Sequence, residues 1–175
     1  MNRIARSFCT GAVALAMVAL SATVHAQQQQ PSSGSWVSYV GGAFGSTDYG
    51  TGLRLYAGAP VSGILGWEAQ VTSYGSEKYV QLNQTYNRSA VAFGASAVAR
   101  MPVTSTLQAF GKLGVHYLSS KVSGPGQNTK DNSAELGIGA GMLWQFIPAA
   151  AARLEMENIG GSGGNIVSAG LEFKL

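Results

Sequence analysis

The sequence predicts an all-β fold: an eight-stranded antiparallel up-and-down β-barrel that crosses a membrane. Three observations predict it. Apolar side chains recur at every second position from about residue 53 to the C-terminus, the pattern of strands whose successive side chains point to opposite faces. Charged residues make up only 11% of the 175, against about a quarter in an ordinary soluble domain, so a water-facing surface could not be covered. Pro60, Pro102 and Pro148 separate alternating segments at spacings of 42 and 46 residues. Proline cannot donate to a sheet ladder and belongs at turns and strand ends.

The first 26 residues precede the fold. Arg3 and Arg6 lead into an uncharged run from Gly11 to Val24, and Val24-His25-Ala26 offers a small-residue cleavage site, so residues 1–26 read as a cleaved signal peptide. The run is shorter than the about 20 apolar residues a spanning helix needs. Cys9 lies ahead of it, which is not a lipoprotein arrangement. Without Arg3 and Arg6 the basic residues fall from 11 to 9 against 8 acids, and the net charge from +3 to +1. The basic character belongs to the leader, and no nucleic-acid partner is expected. The mature part holds no Cys and one His, which excludes a disulfide scaffold, a thiol nucleophile and a Cys/His zinc site. No metal or cofactor is expected. Residues 27–35 (QQQQPSSGS) read as a polar, periplasmic tail, and the barrel as residues 36–175.

An opening strand is placed near Trp36 to Gly45. Leu53, Leu55, Ala57 and Ala59 then alternate with Arg54, Tyr56 and Gly58, and Leu65, Trp67, Ala69 and Val71 with Gly66, Glu68, Gln70 and Thr72. Val91, Phe93, Ala95, Ala97 and Ala99 share one face, as do Leu107, Ala109, Gly111, Leu113, Val115 and Tyr117. In the last three segments Leu136 to Trp144, Ala150 to Met156 and Val167 to Leu175 each show an apolar set facing away from Glu135, from Arg153, Glu155 and Glu157, and from Ser168, Gly170 and Glu172. No charge falls on any of these apolar faces. Tight turns at the prolines fall at one end of the sheet. Polar connections near 46–49, 75–87, 119–131 and 159–164 are expected as loops at the other, which is the arrangement of an outer-membrane barrel.

A soluble barrel would also alternate, but its outward polar face would be rich in charge. Here that face is Gly, Ser, Thr and Gln with sparse ions. Trp36, Trp67, Tyr117, Trp144 and Phe173 lie mostly toward segment ends of the apolar face, as a lipid-facing aromatic girdle does. Leu136 to Ala152 is uncharged and long enough to raise a helix as a rival. Three alternate glycines and Pro148 argue for strand, turn and strand instead.

Several segments carry a family resemblance. Tyr39-Val-Gly-Gly-Ala-Phe-Gly45 resembles the opening strand of the OmpA-type outer-membrane barrels, and Gly66-Trp-Glu-Ala-Gln-Val-Thr-Ser-Tyr-Gly75 their third strand with its inward Glu. Phe110-Gly-Lys-Leu-Gly114 resembles the fifth, Ala152-Arg-Leu-Glu155 the seventh, and Gly170-Leu-Glu-Phe-Lys-Leu175 the closing strand. The resemblance implies an outer-membrane location with periplasmic termini and contact with outer-membrane lipids and lipopolysaccharide. It also implies recognition by the outer-membrane assembly machinery through Leu171, Phe173 and Leu175. Leu175 stands where the family commonly ends in an aromatic residue. The family's peptidoglycan-binding domain is not expected.

The inward charges are Arg54, Glu68, Lys112, Arg153, Glu155 and Glu157. By resemblance, Glu68, Lys112, Arg153 and Glu155 belong to an ion-pair network that fills the lumen, and Val98 stands where the fourth strand commonly carries an inward Lys. The bland reading is that paired charges satisfy a narrow interior, since unpaired buried charge is very costly. The alternative is a narrow passive channel. A third reading, a lipid A-modifying enzyme, rests on His116. Its neighbour two places on is Leu118, and Ser119 has the opposite parity, so a base and hydroxyl within reach are not expected. Gly137-Ile-Gly-Ala-Gly141 lacks the third glycine of a dinucleotide loop. No catalytic residue is expected, and a surface ligand would have to engage the loops.

Overall fold

The computed structural model describes residues 36–81, 84–160 and 164–175. The signal peptide and polar tail expected over residues 1–35 lie outside the described residues. Eight strands follow one another: β1 (Tyr39–Thr47), β2 (Gly50–Ser62), β3 (Leu65–Gln81), β4 (Gln84–Pro102), β5 (Leu107–Gly124), β6 (Gln127–Ile147), β7 (Ala150–Ile159) and β8 (Gly164–Lys174). Each pairs antiparallel with the next, and β1 pairs with β8, so the sheet closes into a barrel. Closure removes sheet edges over the common height of the eight strands, which is what a sheet in hydrocarbon needs.

The pleat sorts the side chains inside out. Leu53, Leu55, Phe93, Leu113, Leu154 and Met156 are exposed, whereas Arg54 and Glu68 are 0% exposed. Outward positions are even-numbered in β1, β6 and β7 and odd-numbered in β2, β4, β5, β8 and the lower part of β3. The outer wall is thus apolar and the interior polar. That is the reverse of a protein folded for water. Trp67, Tyr117, Trp144 and Phe173 lie on the outer face, and Trp36, ahead of β1, is exposed; Trp36, Trp67, Trp144 and Phe173 sit toward the end carrying the chain termini, and Tyr117 toward the other.

The connections at the terminal end are short. Gly63 (φ +53°) and Ile64 turn β2 into β3. Pro60 lies within β2, next to a register shift before Ser62, while Pro102 ends β4 and Pro148 lies in the β6–β7 turn.

The opposite end corrects the expected loops at 75–87 and 119–131. Strands β3 to β6 run 17, 19, 18 and 21 residues, well beyond the about 9–11 that cross a bilayer. β3 and β4 stay paired up to Gln81↔Gln84, and β5 and β6 up to Gly124↔Gln127. Pro125 and Gly126 (φ +76°) alone turn the second hairpin, the proline-then-positive-φ order of a type II turn. These segments carry Ser, Asn and Lys because both faces are out of hydrocarbon, yet β3–β4, β4–β5 and β5–β6 stay paired through most of them. Four strands therefore rise as a wall above the rim formed by the other four.

Gly75 (φ +85°) sits in an irregularity between Ser73 and Ser76 where the β3–β4 register shifts. The shift inverts parity. Ser76 pairs with Ser89 and Lys78 with Asn87, on the outer face, while Glu77 pairs with Arg88 on the inner one.

Candidate functional site

The lumen gathers the buried charge of the molecule from six strands. Arg54 of β2 reaches Glu155 at 2.5 Å and also Glu157, both on β7. Arg153 of β7 grips Glu68 of β3 with both terminal nitrogens, at 2.7 and 3.0 Å. The same guanidinium meets Glu155 at 2.7 Å and Glu172 of β8 at 3.3 Å. Its plane is held between the rings of Tyr56 and Phe110, 4.1 and 4.3 Å from their centres, where cation–π attraction adds to the ion pairs. Lys112 of β5 contacts Glu155, Glu157 at 3.0 Å and Glu68 at 3.6 Å, and donates to Gln70 Oε1 at 2.6 Å.

Three further members, Arg100, Glu172 and Gln70, are not among the candidates read from the sequence. Arg100 of β4 forks onto Glu172 at 2.6 and 3.0 Å and lies over the Tyr39 ring. The alternation of the last strand puts Glu172 on the inward face without tying it to the network. Gln70 completes the set by donating to Glu157 at 2.9 Å. Four cations (Arg54, Arg100, Lys112, Arg153) thus face four carboxylates (Glu68, Glu155, Glu157, Glu172). Val98 is buried in the lumen, and the β4 cation stands two residues further along the same face, at Arg100. Its alternation with Ser96 and Val98 was the available signal.

Apolar clusters flank the charges. Toward the hairpin end Tyr49, Tyr74, Ala90, Ala92, Leu118, Ile159 and Ile166 pack together. Arg88 donates to the Tyr49 hydroxyl at 2.6 Å above them. Toward the terminal end Val98, Phe110, Leu143 and Ala151 form the second cluster.

His116 is 0% exposed, with Nε2 3.6 Å from Glu157, and its ring lies against Gly94 and Gly137, where any Cβ would collide with it. Leu118 joins the upper apolar cluster, and Ser119 takes the outward parity. Neither ring nitrogen has a hydrogen-bond partner among the described residues.

Comparison with known proteins agrees with this architecture. Among curated proteins no relative matches the chain. Three solved structures share the fold at low identity. The N-terminal β-barrel domain of Pseudomonas aeruginosa OprF has 12% identity and a TM-score of 0.60, covering 81% of this chain and 99% of that one. Neisserial surface protein A has 18% identity and a TM-score of 0.55, covering 79% and 95%. Ail, the attachment invasion locus protein of Yersinia pestis, solved in complex with the heparin analogue sucrose octasulfate, has 14% identity and a TM-score of 0.55, covering 79% and 97%. The family described as the outer membrane protein beta-barrel domain matches residues 12–165, most of the chain, and the protein is a member of that family.

Proposed function

We propose that the protein is a closed, non-catalytic outer-membrane barrel with a structural or surface-interaction role, its termini periplasmic and its lumen sealed by the ion-pair network. The filled interior carries this reading. An ion would have to pass two apolar clusters and part a network in which every carboxylate already has a cationic partner. An eight-stranded barrel is narrow enough for side chains to fill it. His116 supports the non-catalytic reading, because it is enclosed in the lumen, away from any lipid substrate. Trp36, Trp67, Tyr117, Trp144 and Phe173 mark the two membrane interfaces, and Leu171, Phe173 and Leu175 serve the assembly machinery.

Planar-bilayer recording of the purified barrel tests the sealed lumen. No single-channel steps are expected from wild type or from Glu68→Ala. Resolved steps in wild type would replace this reading with a narrow passive channel.

Orientation has its own test. Protease added to intact cells is expected to cut only at the hairpin tips, within 81–84 and 124–127, since the flanking ladders are paired. Cutting at 63–64 or 103–106 would invert the barrel in the membrane.

A further inference from the structure

We propose that an outward row across β3 to β6, centred on Lys121 and Lys130, binds the phosphate of a membrane-lipid headgroup in the outer leaflet. The inference rests on the orientation proposed above. Register places Ser76 beside Ser89, Ser89 beside Lys121, and Lys121 directly opposite Lys130. Like charges directly opposite on one face of a sheet repel. Neither lysine makes an ion pair among the described residues. The nearby acids cannot relieve them, because Glu77, Asp131 and Glu135 pair with Arg88, Ser120 and His116 on the inner face. The outer face at this height carries Lys78, Lys121 and Lys130 and no acid among the described residues.

An anion between the two ammonium groups would turn the repulsion into attraction. The surface has a matching shape: a groove of about 560 Å³ is lined on the outer face by Ser89, Val91, Ser119, Lys121, Asn128 and Lys130. Its two hydroxyls and one amide can donate to phosphate oxygens, and two lysines act as point charges on a compact dianion.

Depth selects a lipid over a soluble partner. Tyr117 and Phe93 are paired on the same face four residues below Lys121 and end the continuous apolar wall of Val115, Leu113 and Leu136. Four residues rise about 14 Å along a strand, or about 10 Å along the normal at a 45° tilt. Acyl chains lying on that wall therefore bring their headgroup to the lysines. The row faces sideways into the headgroup layer.

The test uses the purified barrel in neutral detergent. It is titrated with a bisphosphorylated acyl-glucosamine disaccharide, with the same lipid stripped of phosphate, and with inorganic phosphate. The phosphorylated lipid is expected to bind wild type, and the Lys121→Gln/Lys130→Gln double variant about 30-fold more weakly, since each lysine near an anionic surface is worth roughly a factor of five or more. The Lys121→Arg/Lys130→Arg variant keeps the affinity, and inorganic phosphate does not displace the lipid. Equal binding of the stripped lipid, equal binding by the Gln variant, or displacement by inorganic phosphate would each overturn the proposal. Should the Gln variant not fold, the phosphorylated and stripped lipids compared on wild type decide alone, with affinity expected to fall as salt screens the lysines. Detergent carries no sidedness, so a negative result leaves the sealed-lumen reading standing, and the protease experiment tests orientation separately.

Discussion

An Arg153→Met variant is expected to lose about 3–5 kcal/mol of folding stability, read as the urea midpoint of the refolded barrel in lipid vesicles. The guanidinium is 1% exposed and contacts Glu68, Glu155 and Glu172, so its removal leaves Glu68 with the longer cationic contacts from Lys112 and Arg100, at 3.6 and 3.9 Å, and the Tyr39 hydroxyl at 3.4 Å. It also leaves the gap between Tyr56 and Phe110 without its cation. Breaking one side of a buried pair costs far more than replacing both sides, because the surviving charge stays out of water without a partner. The double variant Arg153→Met/Glu68→Gln is therefore expected to recover a large part of the loss. A single variant within about 1 kcal/mol of wild type, the value of an exposed pair, would mean that the lumen is hydrated and the network screened.

The second large effect is expected at the seam. Gly170 of β8 pairs with Ala43 of β1, and a Cβ added there would overlap the Gly42 carbonyl oxygen and the Ala43 Cα. Neither obstacle is a side chain that can swing aside. Gly170→Val is expected to hold β1 off β8 and abolish the heat-modifiable folded band in gel electrophoresis. Backbone groups left without partners in hydrocarbon cost several kcal/mol each. The control is Gly111→Ala, whose added methyl meets only the Gly139 carbonyl oxygen at 3.9 Å and is expected to fold normally. Normal folding of Gly170→Val would show that the seam is looser than its register implies.

Much of the barrel is legible in the sequence because the wall contrasts apolar with polar at every step. Leu53-Arg54-Leu55-Tyr56 can be read only one way in lipid, and it places Arg54 inside. The same contrast fails above the membrane. Around 75–87 and 119–131 both faces are wet, so a fully paired hairpin and a flexible loop share one composition. The shift at Gly75 also inverts parity, which hides the outward placement of Ser76 and Lys78. Within the lumen, Arg100 adjoins Met101 and Pro102 and reads as a turn charge, although its face is that of Ser96 and Val98. Which cation meets which carboxylate depends on the girth of the closed sheet, and no local pattern encodes that.

Two of the network's pairs are far apart along the chain: Arg54 lies 101 positions from Glu155, and Arg153 lies 85 from Glu68. Neighbouring strands can zip up in succession from short hairpins, but these pairs meet only when the first and last strands latch. Until that moment the future interior is the water-wetted side of an open, curling ribbon, with each charge still hydrated. Sealing the ribbon strips that water from eight ionic groups together, so the final step of folding is also the one at which the electrostatics are settled.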